Sequence, residues 1–146
     1  MKELRLLGNI ENYQYAKFIN YVVKNCESFS ITKHKYARYD YSIDSALLEL
    51  SQVDNSLARY NSLINYRKGS KVLEFIINDQ SKKYLNSVNG LYEWKPHKYY
   101  EDLTFYKNKK IWLRSITHEK LAYMNQEFME DIKYLENELK FYFSDR

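Results

Sequence analysis

The pattern from residue 102 to residue 113 restricts the fold more than any other part of the chain. Apolar and polar residues alternate on both sides of the loop Lys107-Asn108-Lys109-Lys110. Alternation with a period of two is typical of strands with one buried face, and asparagine accepts the positive backbone angles that a tight turn requires. We therefore predict two antiparallel strands joined by a short loop.

The rest of the chain mixes strand-like and helix-like patterns without regular strand–helix–strand alternation. Period-two alternation and short apolar runs predict strands, and apolar residues spaced by three and four predict helices. The predicted strands cover residues 4–7, 28–33, 72–77 and 121–124, and the predicted helices cover residues 12–26, 43–66, 79–91 and 128–142. The predicted fold class is α+β, with a mainly antiparallel sheet and a C-terminal hairpin covered by about four helices, the last one amphipathic.

Capping residues predict where two of these helices begin. Asn9 or Asn12 is expected to cap the first helix, and Asn78 or Asp79 the helix over 79–91. Asparagine and aspartate suit this position because their side-chain oxygens accept hydrogen bonds from the free N–H groups of the first turn.

Length and composition predict one α+β domain spanning residues 1–146. The 3 glycines and 1 proline leave little linker, and the single cysteine, Cys26, lies among apolar residues and cannot form an internal disulfide. The first residues lack the apolar block of a signal peptide, and no apolar run approaches the roughly 18 residues of a membrane span. We expect a cytoplasmic protein with no membrane association.

Tyrosine and charge are distributed in a way that allows partner binding. The chain contains 16 tyrosines, which fits the codon usage of an AT-rich genome or, alternatively, an interface rich in aromatic side chains. Residues 119–146 carry seven acids and four bases, a net charge of −3. Because the whole chain carries +4, residues 1–118 carry a net charge of +7. A basic body with an acidic end can steer a charged partner.

Ser115, His118 and Glu119 are the candidate catalytic residues, because they combine a nucleophile, a base and a group that could orient the base. Residues three apart on a strand point to opposite faces, so Ser115 and His118 could meet only across a bend. The alternative interpretation is structural, with the histidine closing the end of a strand. A small hydrolase using these residues is the third functional hypothesis.

No cofactor or metal ion is expected from the sequence. The three histidines and Cys26 lie far apart, and none falls in a recognised ligand spacing. The isolated glycines form no phosphate-binding loop.

Basic and aromatic residues alternate in two segments and form the predicted partner-binding set: Tyr36, Arg38, Tyr39, Tyr41, Lys107, Lys109 and Lys110. Such mixtures combine phosphate neutralisation with base stacking, although lysines at a hairpin tip also protect edge strands from aggregation. The last helix has an acidic outer face predicted from Glu127, Glu130, Asp131 and Glu138, which suits a basic protein partner.

Several short segments between residues 91 and 124 resemble a family of small bacterial proteins of unassigned activity. The segments are Leu91-Tyr92-Glu93-Trp94, Glu101-Asp102-Leu103, Phe105-Tyr106, Trp112-Leu113 with Ser115, and His118-Glu119. Tyr100 stands where that family usually has proline. The resemblance implies a shared fold, and some such proteins look like immunity proteins of bacterial toxin systems.

The function expected from these observations is a non-enzymatic inhibitor or immunity-type protein, acting in toxin neutralisation or in bacterial or phage defence and anti-defence. It would bind a protein partner, a toxin or defence component, by surface complementarity. The alternative is a nucleic-acid-binding module that uses the basic and tyrosine-rich loops.

Overall fold

Seven β-strands and three α-helices make up the part of the chain that the computed structural model describes, residues 2–33, 71–94 and 100–145. The strands are β1 (Glu3–Leu7), β2 (Ser28–Lys33), β3 (Lys71–Ile76), β4 (Glu101–Lys107), β5 (Lys110–Ile116), β6 (Leu121–Asn125) and β7 (Tyr142–Asp145). The helices are α1 (Asn12–Asn25), α2 (Asp79–Leu85) and α3 (Met129–Glu138), and a single 3-10 turn covers Thr117–Glu119.

The seven strands form one sheet in the order β3-β2-β4-β5-β6-β1-β7, and every pair of neighbours is antiparallel. The predicted α+β class and antiparallel sheet are confirmed. Three helices are present in the described ranges, against about four expected, and the helix predicted over 43–66 lies outside those ranges. None of the three is long and apolar enough to cross a bilayer.

The predicted hairpin is confirmed as β4 and β5. Its two loop residues, Asn108 and Lys109, have φ angles of 52° and 60°. Two successive positive angles define a type I′ turn, whose twist matches that of the flanking strands. The register shifts between Phe105 and Tyr106, where the ladder to β5 is irregular.

One face of the sheet carries the apolar core. Phe18 of α1 is fully buried, with its ring centroid 5.8 Å from that of Phe105 and 6.1 Å from that of Trp112. Ile132 and Leu135 of α3 are also buried in this core. Burying a side chain of this size is worth roughly 1.5–3 kcal/mol, so these buried apolar side chains anchor both helices to the sheet.

The alternate positions on the strands form a polar row that the sequence patterns did not reveal. The strand registers align one polar residue from each strand, in the order Glu74, Ser30, Thr104, Arg114, Tyr123, Arg5 and Ser144. The first five are buried and the last two are not. Arg114 donates from Nε to Glu3 Oε2 at 2.7 Å and from Nη2 to Glu3 Oε1 at 3.1 Å, a buried bidentate pair that reaches from β5 to β1.

Two predicted helix boundaries are wrong at the ends of the chain. The last helix ends at Glu138 rather than near residue 142, Lys140 has a φ of 59°, and the next residues form β7 along β1. The helical spacing extends to Tyr142, but Tyr142 and Phe143 pair with Leu7 and Leu6 of β1, and Phe143 packs against the core as a strand residue.

The predicted cap of α1 is also wrong, since Glu11 occupies that position and makes no side-chain cap bond. The start of this helix is held instead by a bridge between Glu11 and Gly90 and by the Asn12 N–H, which donates to Asn89 O at 2.6 Å. A Cβ on Gly90 would lie 2.9 Å from Glu93 Oε2 and 3.1 Å from the Ile10 carbonyl oxygen, so any side chain here would crowd the close approach of these two segments.

Asn78 caps α2 as predicted. Its side chain accepts from the Ser81 N–H at 3.0 Å, and the Asn78 N–H donates to Ser81 Oγ at 2.6 Å, which together form a reciprocal capping box. The helix ends at Leu85, short of the predicted residue 91, while Val88 and Leu91 remain buried in the turns that follow.

Candidate functional site

His118 lies in the 3-10 turn between β5 and β6, between two carboxylates. Its Nδ1 is 3.8 Å from Glu101 Oε2, and its Nε2 is 4.0 Å from Glu119 Oε1. These separations exceed hydrogen-bond length, so the contacts are electrostatic. The His118 side chain is 50% exposed and that of Glu101 is 7% exposed, so the imidazole stands between solvent and a buried carboxylate.

Asp102 ties the beginning of β4 to the turn that carries His118. The Asp102 N–H donates to Thr117 Oγ1 at 2.9 Å, and the Thr117 N–H donates to Asp102 Oδ1, also at 2.9 Å. Asp102 has a φ of 57°, which interrupts the strict alternation of side chains along the strand. This reciprocal pair holds the carboxylates of β4 beside the turn.

Glu101, Asp102 and His118 together offer three potential ligand atoms, all within 4.8 Å of one another. Over residues 2–33, 71–94 and 100–145, this is the one group of three or more histidine, cysteine and acidic side chains that is so close. Two carboxylates and an imidazole can hold a cation or exchange protons with a bound molecule. The spacings of the histidines and of Cys26 give no signal for this site, because two of its three potential ligands are carboxylates.

A signal for the site was nevertheless present in the predicted hairpin. Thr104 pairs with Arg114, so the start of β4 lies opposite the end of β5. An antiparallel hairpin with a two-residue loop brings residues 101 and 102 beside residues 116–118, and this proximity follows from the hairpin register alone.

Ser115, the predicted nucleophile, is buried. Its hydroxyl donates to the Leu103 carbonyl oxygen at 2.7 Å, a bond across the β4–β5 ladder. His118 has its two carboxylate contacts with Glu101 and Glu119. Of the three candidate catalytic residues, the structure brings His118 and Glu119 together and gives Ser115 a structural hydrogen bond.

Two of the three predicted hairpin lysines form ion pairs with acids in the first turn of α3 or just before the helix. Lys107 Nζ lies 2.8 Å from Asp131 Oδ2, and Lys110 Nζ lies 2.7 Å from Glu127 Oε2. Lys109 is exposed at the tip of the turn. The predicted partner-binding residues Tyr36, Arg38, Tyr39 and Tyr41 lie outside the described ranges.

Asp131 was predicted on the acidic outer face of the last helix, and this is wrong. The residue is only 6% exposed, and its carboxylate accepts from Lys107 Nζ at 2.8 Å, Trp112 Nε1 at 2.9 Å and the Tyr21 hydroxyl. Burial alone would raise the pKa of Asp131, but these three hydrogen bonds together lower it below the usual aspartate value. Because the donors surround it, Asp131 is a structural anchor between α3, α1 and β5.

Two exposed acids of α3 lie along one side of the helix with one aromatic residue between them. We define the α3 stripe as Glu130, Tyr134 and Glu138, whose spacings of 4 and 4 place them along one side of the helix. Tyr134 is 43% exposed, and its ring stacks on that of Tyr21 with a centroid distance of 4.4 Å and an interplanar angle of 13°. The stripe therefore presents an aromatic ring between negatively charged side chains.

Comparisons of the chain with family models, with curated proteins and with solved structures find no match. The resemblance based on residues 91–124 therefore stays a prediction. Functional inference rests on the geometry of the two surfaces above, the His118 cluster and the α3 stripe.

Proposed function

We propose that this chain is a non-enzymatic inhibitor of the immunity type, which covers a basic surface of a protein partner with the α3 stripe. The observation that carries the proposal is the exposed ring of Tyr134 between the acids Glu130 and Glu138. Tyrosine is among the residues that contribute most to binding energy in protein interfaces, and flanking acids favour a partner of opposite charge.

The α3 stripe is held rigidly before any partner binds. Tyr134 rests on Tyr21, whose hydroxyl donates to the buried Asp131, so the supporting ring has a fixed position. A side chain that is already ordered loses less conformational entropy on association. The aromatic stack thus lowers the entropic cost of presenting Tyr134.

The charges on the hairpin favour a protein partner over a nucleic acid at this end of the molecule. Lys107 and Lys110 are paired with Asp131 and Glu127. A lysine already paired with a carboxylate neutralises a phosphate less effectively, and the neighbouring α3 stripe repels a polyanion. The nucleic-acid alternative depends on residues 36–41, outside the described ranges.

Affinity capture from the native host with three baits tests this proposal. The baits are the wild-type chain, Tyr134→Ala, and a control, Tyr142→Ala, which removes an exposed tyrosine from the edge strand β7. We expect one stoichiometric basic protein with the wild type and the control, and on the order of tenfold less with Tyr134→Ala.

The charge component has its own test. Glu130→Lys is expected to slow association with the captured protein, measured by surface plasmon resonance, and to make the rate less sensitive to salt. Failure to capture a stoichiometric protein, or equal recovery by wild type and Tyr134→Ala, would contradict the proposed function.

A further inference from the structure

We propose that Glu101, Asp102 and His118 bind one divalent first-row transition-metal ion, of which Zn²⁺ is the reference. This site is separate from the α3 stripe and uses none of its residues. The result of the metal-binding test therefore does not bear on the proposed protein-binding function, and the reverse also holds.

The donor set favours a transition metal over Mg²⁺ or Ca²⁺. Glu101 and Asp102 supply carboxylate oxygens, and His118 supplies an imidazole nitrogen. Mg²⁺ and Ca²⁺ are held by oxygen ligands, whereas imidazole suits zinc, copper, iron and nickel. Mixed nitrogen and carboxylate donors are found at catalytic zinc sites and at iron sites with open positions.

The separations allow one ion to reach all three side chains. Metal–nitrogen and metal–oxygen bonds of about 2.0–2.2 Å place two ligand atoms of a tetrahedral ion about 3.4 Å apart. The three ligand atoms already lie within 4.8 Å of one another, and His118 Nδ1 is 3.8 Å from Glu101 Oε2. Side-chain movements of roughly 1 Å complete a tetrahedral site, and the half-exposed His118 side chain has the freedom to make part of them.

The backbone around the site is organised without an ion. The reciprocal hydrogen bonds between Asp102 and Thr117 join β4 to the 3-10 turn, one residue away from each of the other two ligands. The bond from the Thr117 N–H also fixes the orientation of the Asp102 carboxylate. Ligands held in this way by neighbouring groups bind metal ions more tightly.

The position of the site leaves it open to solvent on one side. Glu101 and Asp102 are buried, while the His118 side chain is half exposed. An ion held by three protein ligands keeps at least one tetrahedral position for water or for an incoming ligand. The site is thus of the open type and not of the closed, four-ligand structural type.

A titration of the full, untagged chain with Co²⁺ and Zn²⁺ tests the inference. Co²⁺ in a protein site of low coordination number gives visible absorption bands, and calorimetry with Zn²⁺ gives stoichiometry and affinity. We expect one ion per chain. Glu101→Gln and His118→Ala, which each remove one ligand, are expected to weaken binding on the order of tenfold or more.

Glu119→Gln is the matched control, because Glu119 also contacts His118 but lies outside the ligand group. It removes the same charge next to the same histidine, and we expect its affinity to stay near that of the wild type. Circular dichroism checks that every variant is folded. If His118→Ala does not fold, Glu101→Gln still tests the site, because glutamine has the same shape as glutamate.

Two results would overturn the inference. One is the absence of saturable one-to-one binding of either ion at concentrations up to about 1 mM, which corresponds to a binding free energy weaker than about −4 kcal/mol. The other is wild-type affinity in both Glu101→Gln and His118→Ala, which would place any bound ion elsewhere on the chain.

Discussion

At the scale of single residues, burial decides what a charged side chain does in this protein. Asp131 and Glu130 are neighbours in the first turn of α3, yet Asp131 is buried among three donors and Glu130 is exposed. Hydrogen bonds to a charged group are worth about 1.5–3 kcal/mol each when they are desolvated, and an exposed acid contributes little. A carboxylate therefore anchors the fold at Asp131 and is a surface charge at its neighbour Glu130.

Asp131→Asn is expected to lower the free energy of unfolding at pH 7 by about 2–3 kcal/mol, because it removes the charge that Lys107, Tyr21 and Trp112 satisfy. Urea denaturation measures the change. Glu130→Gln, the matched control, is expected to change the free energy by less than about 0.5 kcal/mol. Equal effects of the two substitutions would contradict the anchoring role.

The pH dependence of stability follows from the lowered pKa of Asp131. The unfolded aspartate titrates near about 3.9, and the folded one titrates below that value. The stabilisation is therefore fully present above about pH 5 and is lost as the pH falls through 3.9 towards the folded pKa. Urea denaturation at pH 7 and pH 3.5 is expected to show a smaller loss of stability for Asp131→Asn than for the wild type.

At the scale of elements, local signals set the middle of each helix and strand, and contacts set several of the ends. The capping box of Asn78 and Ser81 is a local device and begins α2 where the sequence predicts. The start of α1 has no side-chain cap and depends on the segment around Gly90. A seven-residue helix such as α2 gains much of its stability from its cap, because few of its N–H groups have partners within the helix.

Asn78→Ala is expected to lower the free energy of unfolding by about 1 kcal/mol, since it leaves the Ser81 N–H without its acceptor. Thermal unfolding followed by circular dichroism measures the effect. Asn86→Ala at the other end of α2 is the control, because the backbone N–H of Asn86, which donates to Lys82 O, is kept in this variant. A loss at Asn86 as large as that at Asn78 would show that the capping box contributes nothing specific.

At the scale of the whole molecule, the sheet connects both ends of the described chain. β1 lies between β6 and β7, so residues near position 5 pair with residues near positions 123 and 144. The buried pair of Arg114 and Glu3 reinforces this closure across β6. Breaking a buried ion pair costs about 3–5 kcal/mol, whereas replacing both partners with apolar residues is often nearly neutral.

Glu3→Leu alone is therefore expected to lower the free energy of unfolding by about 3–5 kcal/mol, and Glu3→Leu with Arg114→Met by clearly less. A double-mutant cycle in urea measures the coupling. The exposed pair of Lys110 and Glu127 is the comparison, and its coupling is expected to be below about 1 kcal/mol. Similar coupling energies in the two cycles would show that burial of the first pair adds nothing.

The sequence by itself determined the features that depend on near neighbours. Its periodicities predicted the α+β class, the β4–β5 hairpin and the cap of α2, because a side chain's face on a strand or helix follows from local spacing. The hairpin also contained the geometry that brings residues 101 and 102 to His118, although the search for ligands by histidine and cysteine spacing overlooked it.

Only the tertiary structure decided which segments meet over long distances in the chain. Strand β7 exists because β1, more than a hundred residues earlier, offers it a partner edge, although the helical pattern of the sequence extends as far as Tyr142, the first residue of β7. Asp131 is buried because Tyr21, Lys107 and Trp112 converge on it from three other parts of the fold. Spacing along a chain records local geometry, whereas the burial of a charge depends on distant donors that no local pattern contains.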